Sequence, residues 1–250
     1  MRNPAVFIYA DLDELSAQAA ARWVALAGQA IAARGWFHVA LSGGSTPRHL
    51  YERLARAEFA ARVDWRRVHI YFGDERCVAP DHPDSNFRMA REALLQHVPI
   101  PAAQVHRIET EQGDPRAAAY AYEQTLLRHM PAPHGRVQCD LMLLGLGPDG
   151  HTASLFPDTP ILNERERLVA AVYVEKLQAW RISMTFPMID HSRHILVMVA
   201  GRDKADVVRQ ALRGDTRAPR LPVQMIEAEG DVEWYMDRAA AQQLDDGQST

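Results

Sequence analysis

Short apolar segments alternate along this chain with longer amphipathic ones, and this alternation constrains the fold more than any other feature. Segments rich in β-branched and aromatic residues predict strands, and the segments of roughly 10–20 residues between them have helical spacing. The predicted strands are Val6–Tyr9, Phe37–Leu41, Val68–Phe72, Leu141–Leu146, Val169–Val174, Arg181–Thr185 and His194–Ala200, and a last strand or turn is predicted near Val232–Met236. Strands that alternate with helices predict an α/β fold with a mostly parallel sheet covered on both faces.

The amphipathic segments predict five helices. They are Asp11–Arg34, Pro47–Phe59, Ser85–Val98, Asp114–Met130 and Arg202–Leu212. Segment Leu141–Leu146 is almost continuously apolar, as expected of a strand that is buried on both faces.

Composition limits the class of protein. A chain of 250 residues without an internal repeat or a low-complexity block predicts a single domain, 1–250, with a core at about 6–240 and a polar tail at 241–250. The formal net charge of −4 argues against nucleic acid as the main partner. No apolar run is long enough to cross a membrane, and Asp11, Asp13 and Glu14 interrupt the start too early for a secretory signal. Two cysteines, Cys77 and Cys139, fit a reducing cytoplasm.

The first candidate binding segment is Ser42–Pro47 (SGGSTP), which follows a predicted strand and begins a helix. Two glycines allow a ligand to approach the backbone N–H groups, and a helix N-terminus attracts anions. The segment lacks the lysine and spacing of a Walker loop and does not match the dinucleotide fingerprint. From these residues alone, a phosphate site and a tight turn that binds nothing are equally good interpretations.

Two further segments place charged residues after strands. Segment 71–76 (YFGDER) carries Asp74 and Arg76 beyond Val68–Phe72, and segment 144–157 (LGLGPDGHTASLFP) carries Asp149 and His151 beyond the most apolar strand. Open α/β sheets bind ligands at the carboxyl ends of their strands, and a histidine there can take a proton near neutral pH. The alternatives are a local ion pair in the first segment and a structural histidine in the second.

Two more segments carry a candidate cation each, and the sequence contains no motif with the spacing of metal ligands. Arg181 lies in RISMT (181–185) and Lys204 in AGRDKA (200–205), where an edge-strand charge and a solvated lysine are the ordinary alternatives. The sequence has neither HExxH nor Cys-x-x-Cys, so we expect no metal.

Taken in order, the five segments SGGSTP, YFGDER, LGLGPDGHTASLFP, RISMT and AGRDKA resemble the 6-phosphogluconolactonase family over about residues 6–240. The resemblance implies a modified Rossmann-like three-layer αβα sandwich. It also implies hydrolysis of 6-phospho-D-glucono-1,5-lactone in the oxidative pentose phosphate pathway, without a cofactor.

The resemblance also assigns roles to individual residues. His151 corresponds to the catalytic histidine, which would activate water, and Asp149 would orient it. The positions implied to bind substrate, its phosphate or the developing anion are Ser42, Gly43, Gly44, Ser45, Thr46, Asp74, Arg76, Arg181 and Lys204. The resemblance does not divide these roles among the cations.

Two alternatives remain. A glucosamine-6-phosphate deaminase has a similar GxDGH motif, but there an acidic residue follows in a pattern like HIAFNEP, whereas Thr152-Ala153-Ser154 follows here. A non-catalytic sugar-phosphate sensor would need the phosphate site and no proton acceptor. The expected partner is the small sugar-phosphate lactone, and the expected assembly is a monomer or a small homo-oligomer.

Overall fold

The computed structural model of the chain describes residues 4–111, 113–214 and 219–244. Its strands are β1 (Ala5–Tyr9), β2 (Phe37–Leu41), β3 (Val68–Phe72), β4 (Asp74–Arg76), β5 (Leu141–Leu144), β6 (Val169–Val174), β7 (Ala179–Met184), β8 (His194–Val199) and β9 (Asp231–Asp237). Its α-helices are α1 (Leu12–Arg34), α2 (Ser45–Leu54), α3 (Ala57–Ala60), α4 (Asn86–Ala90), α5 (Pro115–His129), α6 (Phe186–Asp190), α7 (Ala205–Arg213) and α8 (Arg238–Ala241).

Six strands form one parallel sheet in the order β1-β9-β8-β5-β2-β3. Helices flank this sheet, so the prediction of an α/β fold with a mostly parallel sheet is confirmed. From β2 the chain continues outward to β3, and it later returns to the other side of β2 as β5. The strand order therefore reverses between β2 and β5, and such a reversal leaves a crevice at the carboxyl ends where α/β folds bind ligands.

The remaining three strands form a separate antiparallel sheet in the order β4-β7-β6. Strand β4 was not predicted, because Asp74–Arg76 is polar and has no apolar alternation. It forms by antiparallel backbone pairing with β7, and the register of this pair places Arg76 opposite Arg181. This small sheet holds both arginines near the carboxyl end of β3.

Two predicted helices are interrupted. In place of one helix at 47–59, α2 ends at Leu54 and α3 begins at Ala57, because Arg56 is extended. The bend lets both Leu54 and Phe59 reach the core. Helix α4 continues as a π-helical turn, Arg91–Leu95, and the chain leaves the helix before Val98.

The core contains the predicted apolar strand and extends a few residues beyond its predicted carboxyl-terminal boundary. Strand β5 is buried along its whole length, as its apolar sequence predicts. Ala241 and Leu244 are also buried, so residues at the start of the predicted polar tail pack against the fold. Residues 245–250 of that tail lie outside the described residues. Within the described residues, no helix is long and apolar enough to cross a membrane.

Candidate active site

Loops at the carboxyl ends of β2, β3 and β5 meet above the reversal in strand order. The β2 loop supplies Ser42 and Gly43, β3 leads through Gly73 to Asp74, and the β5 loop supplies His151. Together they line a cavity of about 370 Å³ that also includes Gly44, Arg76 and Arg181. Seven of the predicted site residues therefore line one cavity: Ser42, Gly43, Gly44, Asp74, Arg76, His151 and Arg181.

The β5 loop fixes the position and hydrogen bonding of His151. Its Nδ1 lies 2.5 Å from Asp149 Oδ1, and Lys176 forms an ion pair with the other carboxylate oxygen. The imidazole stacks on Phe156, with 4.1 Å between ring centroids. A side chain at Gly147 would collide with this ring, because a Cβ there would lie 1.9 Å from His151 Nδ1. The glycine in the loop is thus needed for the histidine to occupy this place.

The surroundings of His151 favour its neutral form. Burial lowers the pKa of His151 to about 4, and the charges of Lys204, Arg181 and Arg76 act in the same direction, whereas Asp74 acts in the opposite one. An ionised carboxylate only accepts hydrogen bonds, so Asp149 holds the ring with its proton on Nδ1. The Nε2 lone pair of a neutral ring is then available to accept a proton.

Asp74 is buried in a network that joins three loops. Its carboxylate accepts a hydrogen bond of 2.6 Å from Ser154 Oγ and one of 3.3 Å from Asn86 Nδ2. Asn86 also touches the glycine loop, since a Cβ at Gly43 would lie 2.0 Å from Asn86 Oδ1. Glu75, almost fully buried, accepts hydrogen bonds from the backbone N–H groups of Asn86 and Phe87. This network fixes the start of α4 against the cavity.

The cavity has two guanidinium groups whose hydrogen bonds go to backbone carbonyls. Arg76 donates to Asp84 and Arg181 to Trp180. Burial lowers the pKa of Arg181, and the nearby charge of Arg76 acts in the same direction. Two adjacent cations of this kind favour an anionic ligand.

The first turn of α2 adds backbone donors. Gly44 is its N-cap residue and provides no side-chain hydrogen bond, whereas Asp11 caps α1 and Ser85 caps α4. Ser45 and Thr46 lie in this turn and do not line the cavity.

Lys204 and Asp149 also lie outside the cavity lining. Lys204 lies in the turn after β8, where its charge lowers the pKa of His151. Asp149 acts on the cavity through its contacts with His151 and Lys176, which both line it.

Several residues of the site were not predicted from the sequence, among them Ser154, the hydrogen-bond partner of Asp74. Asn86 and Lys176 line the cavity, Phe156 supports the histidine, and Thr152 has a buried hydroxyl with no hydrogen-bond partner within the part of the chain described. Phe156 and Thr152 lie in the same DGHTASLFP segment as His151, and this proximity could have identified them as site residues. Lys176 lies in the turn between β6 and β7, and no local pattern connects it to His151.

Comparison with known proteins agrees with this geometry. The family model described as glucosamine-6-phosphate isomerases/6-phosphogluconolactonase matches residues 10–234. The chain belongs to this family. The resemblance inferred from the five sequence segments is therefore confirmed.

Individual relatives cover nearly the whole chain. A Synechocystis protein named 6-phosphogluconolactonase is 41% identical over 86% of this chain and 88% of its own length. A Mycobacterium tuberculosis protein of the same name is 38% identical over 97% of this chain and 99% of its own. The solved structure of 6-phosphogluconolactonase from Trypanosoma brucei superposes with a TM-score of 0.87 at 29% identity, and covers 96% of this chain and 98% of that one. A monomeric glucosamine-6-phosphate deaminase has the same fold, with a TM-score of 0.80 at 22% identity.

Proposed function

We propose that this protein hydrolyses 6-phospho-D-glucono-1,5-lactone to 6-phospho-D-gluconate, with His151 as the general base. The observation that carries the proposal is the pairing of His151 with Asp149 beside a cavity that also holds two arginines. The names of the relatives over nearly the full chain support the choice of substrate.

In the proposed reaction, His151 Nε2 takes a proton from a water molecule as the water oxygen bonds to the lactone carbonyl carbon. The carbonyl oxygen becomes an oxyanion, and a backbone N–H of the Gly147–Gly150 turn stabilises it. The Asp149 N–H is the one left for this role, because Gly147 and Gly150 donate to backbone carbonyls and Pro148 has no N–H. Such a donor typically contributes about 2.7–4 kcal/mol. The oxyanion then re-forms the carbonyl, the bond from carbon to ring oxygen breaks, and the imidazolium returns its proton to that ring oxygen. Water is the only co-reactant.

The cations and the α2 N-terminus would bind the substrate's charge. Backbone N–H groups at the start of α2 lack a side-chain cap, and a helix N-terminus of this kind attracts phosphate. Arg181, Arg76 and Lys204 supply positive charge around His151. The buried Thr152 hydroxyl provides a further group for the sugar. Holding the phosphate away from the reacting carbon orients the lactone, and this lowers the entropic cost of reaction.

The isomerising deaminase is less well supported. The deaminase motif has an acidic residue after its histidine, and here the segment Thr152-Ala153-Ser154 follows His151 instead. Among the described residues that line the cavity, the acidic side chain is Asp74, which Ser154 and Asn86 already engage. A lactone is an activated ester, so a positioned base and water suffice for its hydrolysis.

The test is the initial rate at which fresh lactone opens, corrected for spontaneous hydrolysis, for the wild type and for His151→Asn. Asparagine can keep the hydrogen bond to Asp149 and has no counterpart of Nε2. We expect the wild type to accelerate opening and the variant to lose roughly 10²–10⁴-fold in kcat. His134→Asn, at an exposed loop position, is the control and should keep full activity.

Two results would contradict the proposal. Wild-type protein that leaves lactone opening at the background rate would exclude the lactonase function, and glucosamine 6-phosphate would be the next substrate to assay. A His151→Asn variant with wild-type kcat would exclude His151 as the base and leave the substrate assignment standing.

A further inference from the structure

A second and larger cavity lies beside the outer edge of β3. Its volume is about 800 Å³, within the range of roughly 300–1,000 Å³ that is typical of small-molecule sites. The segment that continues from the Ile70–Val105 bridge forms one wall, and α4 with its π-helical turn and α5 form the others. It shares no lining residue with the candidate active site.

One part of this cavity is apolar and aromatic. Phe87, Leu95 and Ile100 line it together with Tyr122, whose ring is almost fully buried. The Tyr122 hydroxyl bonds to the backbone of Phe72, so the ring is held in place and presents carbon surface to the cavity. This surface suits a flat apolar group.

The charged part contains two arginines, Arg91 and Arg107, and the carboxylate of Glu109, which lies 3.9 Å from Arg107. Arg107 is paired with Glu111, and this hydrogen bond raises the pKa of Arg107 and lowers that of Glu111 to about 2. The charge of Arg107 is therefore balanced inside the protein. Arg91 is exposed, and among the described residues no carboxylate lies within 4.0 Å of its guanidinium. The pKa of Glu92 is lowered by its hydrogen bond to Arg88 and also by the charge of Arg91, and the exposed Arg91 guanidinium can still pair with a ligand's anionic group.

The π-helical turn and a buried histidine complete the site. Gln96 N–H donates to the Arg91 carbonyl at 3.1 Å, and this wider turn places both residues on the cavity wall. π-helical turns occur frequently at functional sites. His106 is buried at the wall, and burial together with His129 and His69 lowers its pKa to about 4. Its Nε2 already contacts His69 Nδ1 at 3.0 Å, so the hydrogen-bonding group left for a ligand is the Nδ1 of a neutral ring.

We propose that this cavity is a second binding site, for a small amphipathic anion with a flat apolar body and one negative group. The body would lie against Phe87 and Tyr122, and the negative group would pair with Arg91. The site adjoins the candidate active site through α4, since Phe87 directly follows Asn86, which lines the first cavity.

The test uses the fluorescent amphipathic anion 8-anilinonaphthalene-1-sulfonate as the probe, titrated into the folded full-length protein with direct excitation of the probe. Ala121 is an exposed cavity residue on α5, so Ala121→Trp fills the cavity without disturbing the core. Arg91→Met removes the guanidinium and keeps the apolar stem. Matched controls are Ala32→Trp, at an exposed position of α1, and Arg62→Met, at an exposed loop position.

We expect saturable binding at one site that is weakened about tenfold or more by each cavity variant, because each removes either the space or a charge-assisted hydrogen bond. The controls should bind as the wild type does, and inorganic phosphate should not displace the probe. Three results would overturn the proposal: no saturable binding, an unchanged affinity in either cavity variant, or displacement by inorganic phosphate, which would place the probe in the candidate active site.

Discussion

A stack of four imidazoles and the separate imidazole of His151 differ in what their ring nitrogens contact. The histidine stack, formed by His38, His69, His106 and His129, runs along the β2–β3 edge with centroid separations of 4.9, 5.3 and 4.6 Å. In it, His69 Nδ1 lies 3.0 Å from His106 Nε2, and His38 Nδ1 lies 3.2 Å from the Tyr71 hydroxyl. His151 instead has a carboxylate at 2.5 Å.

Burial lowers the pKa of His38, His69 and His106 in the stack and also that of His151, so a lowered pKa does not distinguish His151 from them. Burial lowers the pKa of His38 to about 3 and that of His151 to about 4. What distinguishes His151 is that Asp149 fixes one ring nitrogen while the cavity and its arginines lie beside the ring. A shifted histidine is therefore a candidate base only when a partner fixes its tautomer and a ligand can reach it.

The largest expected effect comes from removing that partner's charge. We expect Asp149→Asn to lower kcat for lactone hydrolysis by about 10²-fold with little change in KM, because the ring loses its fixed tautomer. Asp158→Asn is a matched control at an exposed, left-handed position that asparagine tolerates. A kcat for Asp149→Asn within twofold of the wild type would show that the carboxylate does not set this histidine apart from the stack.

The next effect concerns the arginines that line the cavity beside His151. Arg181→Gln should raise KM by about tenfold and change kcat less, since a charge-assisted hydrogen bond to the substrate is worth roughly 1.5–3 kcal/mol. Steady-state kinetics beside the exposed Arg62→Gln measure the difference. An unchanged KM would place the substrate's charge elsewhere.

The stack should affect stability against acid and leave catalysis alone. A folded-state pKa of about 3 for His38 means that the unfolded state binds more protons below its ordinary value of 6.5, so stability is lost as the pH falls from about 6.5 toward 3. His38→Phe should keep wild-type kcat. It should also lose less unfolding free energy than the wild type between about pH 7 and pH 5 in urea titrations.

The control for this titration is His134→Asn, which should keep the wild-type loss of stability. If His38→Phe lost as much stability as the wild type over the same interval, or lost activity, then the stack would not be the acid-sensitive structural element described here.

The smallest effect is expected at Lys176, the second partner of Asp149. Its side chain is about half exposed, at 51%, and exposed ion pairs contribute about 0–1 kcal/mol. Lys176→Met should therefore reduce kcat by less than about fivefold. A loss equal to that of Asp149→Asn would show that the lysine, and not the carboxylate alone, holds His151.

Much of this architecture could be predicted from sequence, because it depends on local patterns. The six strands of the parallel sheet follow from apolar runs, and the glycine segments after β2 and β5 mark the loops that meet at the cavity. Strand β4 could not be predicted in this way, because its partner Arg181 lies far along the chain and Asp74–Arg76 is wholly polar.

Residues that only tertiary contacts bring into the site could likewise not be predicted from the sequence. Asn86 joins the site through Glu75 and Gly43, and Lys176 reaches Asp149 from a different sheet. The histidine stack requires the β2–β3 register, which aligns His38 with His69. Sequence spacing within either strand contains no information about that register.

The most direct test of the central claim is a nitrogen-edited NMR spectrum of the His151 imidazole at neutral pH, assigned by comparison with His151→Asn. The claim is that Asp149 holds a neutral ring with Nε2 free to accept a proton. We predict a spectrum with the proton on Nδ1 and none on Nε2. A proton on Nε2, whether in the other neutral tautomer or in a doubly protonated ring, would contradict the account.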